Sequence, residues 1–141
     1  MIEINENKER IAIVVVGYNR LHSLKRVLSS LLHAKYMLEE VPLVISIDCS
    51  GDKELYCYVE EFNWPYGSKY VNINSERMGL KNHIFQCGDL THFFKGIILL
   101  EDDLFVSPYF YSYAEQALDK YGNHEKVAQI SLYKKSPKIL A

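Results

Sequence analysis

The stretch IAIVVVGYNRLHSLKRVLSSLLHAK, residues 11–35, changes its period halfway along. From Ile11 to Val16 every residue is apolar, the pattern of a parallel strand buried on both faces. Beyond Gly17 the repeat becomes helical, with Leu24, Val27, Leu28, Leu31 and Leu32 on one stripe. A buried strand feeding an amphipathic helix is half of a β-α-β unit. The fold therefore depends on whether the unit recurs.

It does recur. LVISIDCSGD (43–52) reads as a second strand ending in a turn, and Leu55, Tyr58, Val59 and Phe62 follow at helical spacing. KYVNIN (69–74) reads as a third strand. Leu80, Ile84, Cys87, Leu90 and Phe94 make the next helical stripe, weakened by Gly88. GIILLEDD (96–103) is the fourth strand. SPYFYSYAEQALDKYG (107–122) is a helix that Ser107 caps, Pro108 opens and Gly122 stops. VAQISLY (127–133) reads as a fifth strand. This alternation predicts an α/β fold: an open, mainly parallel sheet with helices on both faces, in a single domain spanning residues 1–141.

In such sheets ligands bind outside the carboxyl ends of the strands. Strand one ends at Gly17, Tyr18, Asn19 and Arg20, and strand two at Asp48, Ser50, Gly51 and Asp52. Strand three leads to Asn74, Arg77, Gly79, Lys81 and His83, and strand four delivers Glu101, Asp102 and Asp103. Polar groups from four strands thus converge on one edge. Three adjacent carboxylates repel one another, and an apolar strand sets these at the rim of a core. Together with Arg20, Arg77, Lys81 and His83 they suggest a diphosphate bridged to the protein by Mg2+ or Mn2+. Such an ion would stabilise negative charge on a departing diphosphate. Two readings of Asp48 stand level: an acceptor for a uracil imide or a ribose hydroxyl, or a turn aspartate bonded to its own backbone. Arg20 can meet a phosphate or pair with a carboxylate such as Asp48. His83, on an apolar stripe, reads first as a satisfied core or rim histidine. The tyrosines, Tyr109, Tyr111 and Tyr113 among them, read as core and rim packing.

The 141 residues are 48% hydrophobic and 24% charged, ordinary for a globular chain, and the net charge of −2 gives no basis for nucleic-acid binding. No stretch approaches the roughly 20 apolar residues of a membrane span. The polar N-terminus MIEINENKER does not read as a signal peptide. Cys49, Cys57 and Cys87 are odd in number and lack C-x-x-C spacing, which suggests reduced thiols in a cytoplasmic protein.

The segments IAIVVVGYNR, LVISIDCSGD, RMGLKNHIFQ and GIILLEDDLFVSPYFYSYAEQAL, in that order, resemble the nucleotide-binding half of a GT-A glycosyltransferase. The likeness runs over residues 11–133 and is nearest the N-acetylglucosaminyltransferase I group. There an acidic triplet is followed by a short apolar stretch, a tight turn and paired aromatics, as in EDDLFVSPYF. The resemblance implies a UDP-sugar donor, such as UDP-N-acetylglucosamine, and an acceptor of unspecified class. It makes Asp103 the direct metal ligand and sets Glu101 and Asp102 on the sugar or ribose side. By the same likeness Asp48 reads the uracil, Arg20 meets the nucleotide or its phosphates, and His83 lines the pocket. Complete enzymes of this kind carry their acceptor site and general base farther along the chain. The expectation here is thus a truncated, donor-binding part, and the alternative is a nucleotide-binding module without turnover. A single glycine in GYNRLHSL argues against a dinucleotide oxidoreductase or a nucleotidylyltransferase. Acids at the second and fourth strand ends do not fit a receiver domain.

Overall fold

A computed structural model describes residues 3–37 and 40–121, and two short strands at 133–134 and 139–140. Four strands form one parallel sheet: β1 (Asn7–Gly17), β2 (Leu43–Ile47), β3 (Lys69–Ile73) and β4 (Phe94–Glu101). Their spatial order is β3-β2-β1-β4. The direction of strand addition therefore reverses beside β1. β1 and β4 lie side by side with Val16 opposite Glu101, so both chains leave the sheet at the reversal point, where open α/β sheets bind their ligands.

Among the described residues four α-helices cover the sheet: α1 (Leu21–His33), α2 (Lys53–Glu61), α3 (Leu80–Gly88) and α4 (Phe110–Tyr121). Alternation along each strand divides the core in two. Ile13, Val15, Ile45, Ile47 and Leu100 face Leu24, Leu28 and Leu31 of α1, Leu55 and Val59 of α2, and Phe110 and Tyr111 of α4. Ala12, Val14, Val16 and Val44 face α3 through Cys87. The helices thus lie on both faces, as expected, with α3 alone on its side among the described helices.

Two elements differ from the expected boundaries. α3 stops at Gly88, a 3-10 turn follows at Asp89–His92, and Phe94 opens β4. The buried face of α3 is His83 and Cys87, one helical turn apart, while Leu80 is 59% exposed. His83 turns inward onto Ser46 of β2, while Cys87 keeps the apolar contact with the β1 and β2 side chains. α4 begins at Phe110, so Ser107 and Pro108 form the turn before it, with the Phe110 N–H donating to the Ser107 carbonyl at 3.3 Å. Gly122 lies outside the described residues, as does the expected fifth strand except for Tyr133. Tyr133–Lys134 pairs antiparallel with Ile139–Leu140.

At the amino end of the strands an aromatic cluster closes the core. Tyr36 lies 5.7 Å from Trp64 and 4.7 Å from Tyr66, centroid to centroid. The polar tips of these rings all meet backbone carbonyls: Trp64 donates to Val41, Tyr66 to Leu32, Tyr36 to Leu31 and Tyr111 to Ile11. Burial pushes the Tyr36 and Tyr111 hydroxyls far above their ordinary value, so both stay protonated donors.

Candidate functional site

The carboxyl ends of the strands enclose a cleft of about 210 Å3, lined by Val16 to Arg20, Asp48, Arg77, Gly79, Leu80, His83, Glu101 and Asp102. Its volume is below the roughly 300–1,000 Å3 of pockets that enclose a whole small-molecule ligand. A larger ligand would lie partly across the rim. Five of the six residues expected at the site line this cleft. Asp103 is exposed and lies outside the lining.

Arg20 takes the N-cap position of α1 and reaches across to β4. Its guanidinium donates to Asp102 Oδ1 at 2.7 Å. The carboxylate it meets is therefore Asp102 and not Asp48. The Asp102 side chain is 6% exposed and the Arg20 side chain 59%, so one end of the pair is buried and the other is wet. Burial raises the Asp102 pKa above its ordinary value; Arg20 pulls it down and neighbouring Asp103 pushes it up. Glu101, the last residue of β4, is half-buried and faces the cleft. It forms no side-chain hydrogen bond or ion pair among the described residues.

Arg77 is exposed, and its guanidinium lies 4.8 Å from the centre of the Tyr18 ring. A cation held over an aromatic face offers a flat, positive wall. Arg77 is one of the rim cations expected to suit a diphosphate, whereas Tyr18 was expected only as a strand-end residue. The sequence signal was their place at the ends of the first and third strands. Lys81, from the same edge, is exposed and does not line the cleft. Asp52, another residue of that edge, caps α2, its side chain accepting from the Leu55 N–H at 3.1 Å.

His83 is 1% exposed, with Nε2 2.8 Å from Ser46 Oγ. Burial lowers its pKa from the ordinary 6.5, with the Asp48 charge acting in the opposite sense. The ring is therefore neutral at pH 7, the satisfied core histidine of the simpler reading, while one edge still borders the cleft. Ser46 also accepts from Asn72, Asn72 donates to Asn74, and Asn74 donates to Asp48.

Asp48 is 3% exposed. Its Oδ1 accepts from the Met78 N–H at 2.9 Å, the Cys49 N–H at 3.0 Å and Asn74 Nδ2 at 3.2 Å. Its Oδ2 accepts from the Gly79 N–H at 2.9 Å and shares that of Met78 at 3.2 Å. Burial pushes this carboxyl up, and the hydrogen bonds from Met78, Asn74, Gly79 and Cys49 outweigh it, leaving the pKa below its ordinary value.

The lining sets two guanidiniums against three carboxylates, with His83 neutral. A diphosphate entering this cleft meets no excess of positive charge. Among the described residues no three His, Cys, Asp or Glu side chains are grouped to hold a metal. The donor chemistry suits a hard cation that takes one or two carboxylates and completes its shell from phosphate and water. The cleft-facing carboxylate of Glu101 and the exposed one of Asp103 are available for that.

No protein-family model matches the chain, and no curated protein matches it. Solved structures do. S. aureus TarS 1-349 superposes with a TM-score of 0.60 at 16% identity, over 89% of this chain and 40% of that one. The same protein in complex with UDP-GlcNAc gives 0.61 at 16% identity, over 89% and 38%. Its complex with UDP gives 0.58 at 15% identity, over 89% and 39%. This chain thus spans about two fifths of the length of TarS 1-349. At such identity the likeness shows the fold alone: an α/β, Rossmann-like fold with a parallel sheet, as expected from the sequence.

Proposed function

We propose that this chain binds a UDP-sugar together with a divalent cation and forms the donor-binding part of a glycosyltransferase. The observation that carries the reading is the cleft itself. Tyr18, Arg77, Glu101 and Asp102 meet at the reversal point of a sheet whose fold is shared with a protein crystallised with UDP-GlcNAc and with UDP. The Tyr18 ring and the Arg77 guanidinium suit a flat base. Arg20, anchored by Asp102, is held where a phosphate can take its exposed edge. In this reading Glu101, which lines the cleft, accepts from sugar or ribose hydroxyls.

Asp103 is the proposed protein ligand of Mn2+ or Mg2+. The charge balance of the cleft supports an added cation, because its own guanidiniums are outnumbered. When bound, the ion would supply Lewis-acid stabilisation of the diphosphate. The resemblance of EDDLFVSPYF to the triplet-and-turn pattern of the N-acetylglucosaminyltransferase I group favours N-acetylglucosamine as the sugar. Transfer to an acceptor belongs to the same proposal and requires groups beyond those of the cleft.

Thermal stability measured with UDP, GDP, ADP and NAD, each with and without Mn2+, tests the reading. A ligand at a hundred times its dissociation constant adds about 2.7 kcal/mol. The expected result is a manganese-dependent rise with UDP that Asp103→Asn abolishes. Equal rises with every nucleotide, or none, would refute it.

A further inference from the structure

Ser46 does not line the cleft, yet it meets a residue that does, His83. A row of polar side chains runs from Asp48 through Asn74, Asn72 and Ser46 to the His83 ring. Each hydrogen bond in the row has a direction, and the first is forced, because an ionised carboxylate only accepts. Asn74 must turn its amide nitrogen to Asp48, at 3.2 Å, which leaves its carbonyl oxygen toward Asn72. Asn72 must then turn its own nitrogen to that oxygen, at 3.0 Å. The same nitrogen also donates to Ser46 Oγ, at 3.2 Å.

Ser46 is buried in β2 and has one hydroxyl proton to give. Two acceptors share its recess, Gln86 and Cys87, and a third, His83 Nε2, lies at 2.8 Å. Gln86 Oε1 is buried without a hydrogen-bond partner, so it does not take the proton. The Cys87 sulfur also meets this hydroxyl, but a thiol sulfur accepts weakly and is itself a donor. The proton therefore goes to His83 Nε2. A neutral imidazole carries one N–H, and the nitrogen that accepts is not the one that bears it. With Nε2 accepting, the ring proton sits on Nδ1. Nδ1 has no hydrogen-bond partner among the described residues, yet it is not one of their sealed atoms without a partner. It therefore opens on the cleft that His83 lines.

We infer that Ser46 is a positioning residue that sets the tautomer of His83, so that the ring turns a donor, Nδ1–H, toward the cleft; its bearing on a ligand rests on the donor-site reading above. A ligand oxygen is received at that point. A ligand amino group there would set two donors face to face and leave one unpaired.

Two-bond nitrogen–proton NMR correlations of the histidine rings, recorded on the free chain at about pH 8, read the tautomer directly. The His83 signals are those missing from His83→Gln. In the wild-type chain Nδ1 should resonate as the protonated nitrogen and Nε2 as the bare one; the reverse would overturn the inference. In Ser46→Ala the proton should spread to Nε2, and Ser46→Thr, which keeps the hydroxyl, should restore the wild-type pattern. An unchanged tautomer in a folded Ser46→Ala chain would also overturn it. Should Ser46→Ala fail to fold, the wild-type spectrum still decides. On titration with UDP and Mg2+ the Nδ1 signal should move more than that of Nε2. Ser46→Ala should bind UDP about fivefold less tightly, the equivalent of one ordinary hydrogen bond, and Ser46→Thr should recover the affinity. Equal affinity in the wild-type and Ser46→Ala chains would refute the bearing on the ligand. A wild-type chain that bound no nucleotide would end the donor-site reading, and the free-chain spectra would decide the role of Ser46 all the same.

Discussion

His83 is a histidine whose pH response has a definite sign. Burial lowers its pKa from 6.5, so the folded chain keeps the ring neutral where the unfolded chain would take a proton. The stability this confers is complete above 6.5 and is lost as pH falls through the lower folded value. Asp102 acts in the opposite sense. Its folded pKa is raised above 3.8, so its contribution is present below that value and is lost as pH rises through the folded one. Urea midpoints of the wild-type chain should drop between about pH 8 and about pH 5.5, and His83→Gln should flatten that drop. A wild-type curve with no slope there would show that His83 takes its proton as easily folded as unfolded. At this scale the sequence was only partly legible. It placed Asp48, His83, Glu101 and Asp102 at one edge. It left open which carboxylate Arg20 would meet, since the reach from α1 to Asp102 depends on β4 lying beside β1. That order is a property of the sheet and not of any local pattern.

Among the elements, β1 and β2 were legible because burial on both faces leaves long apolar runs, and β4 because its partly covered face is apolar as well. The stripe of α1 came out where its spacing put it. α3 came out only in part: Cys87 of the stripe is buried, while Ser46 draws His83 inward and Leu80 stays exposed. The contact between Tyr18 and Arg77 gave no signal for a related reason: it joins loops from strands that are not adjacent in the sheet. Loop packing yields its own prediction. A Cβ at Gly67 would lie 2.5 Å from the Val41 carbonyl oxygen and 2.7 Å from its nitrogen, both backbone atoms. Gly67→Ala must therefore shift the crossing into β2, which should cost about 1–3 kcal/mol. Chemical denaturation will show it. A loss below about 0.5 kcal/mol would mean that the crossing is slack.

At the scale of the whole molecule, the two ends of the sheet differ in kind. At the amino end Tyr36, Trp64, Tyr66 and Tyr111 close the core, and each polar tip is satisfied by a backbone carbonyl. At the carboxyl end guanidiniums and carboxylates border a cleft. No helix among the described residues is long and apolar enough to cross a membrane. The strand reversal and the cleft fall at one edge of the sheet, the edge at which the sequence gathers its polar groups. The claim beneath all of this is that a uridine diphosphate sits there with a divalent ion. Titrating the isotopically labelled chain with UDP and Mg2+, and following every backbone amide by NMR, tests it most directly. The amides of Tyr18, Arg77, Gly79, Glu101 and Asp102 should shift together and saturate at one ligand concentration. Shifts confined to the aromatic end around Tyr36 and Trp64, or no saturable shift at all, would contradict it.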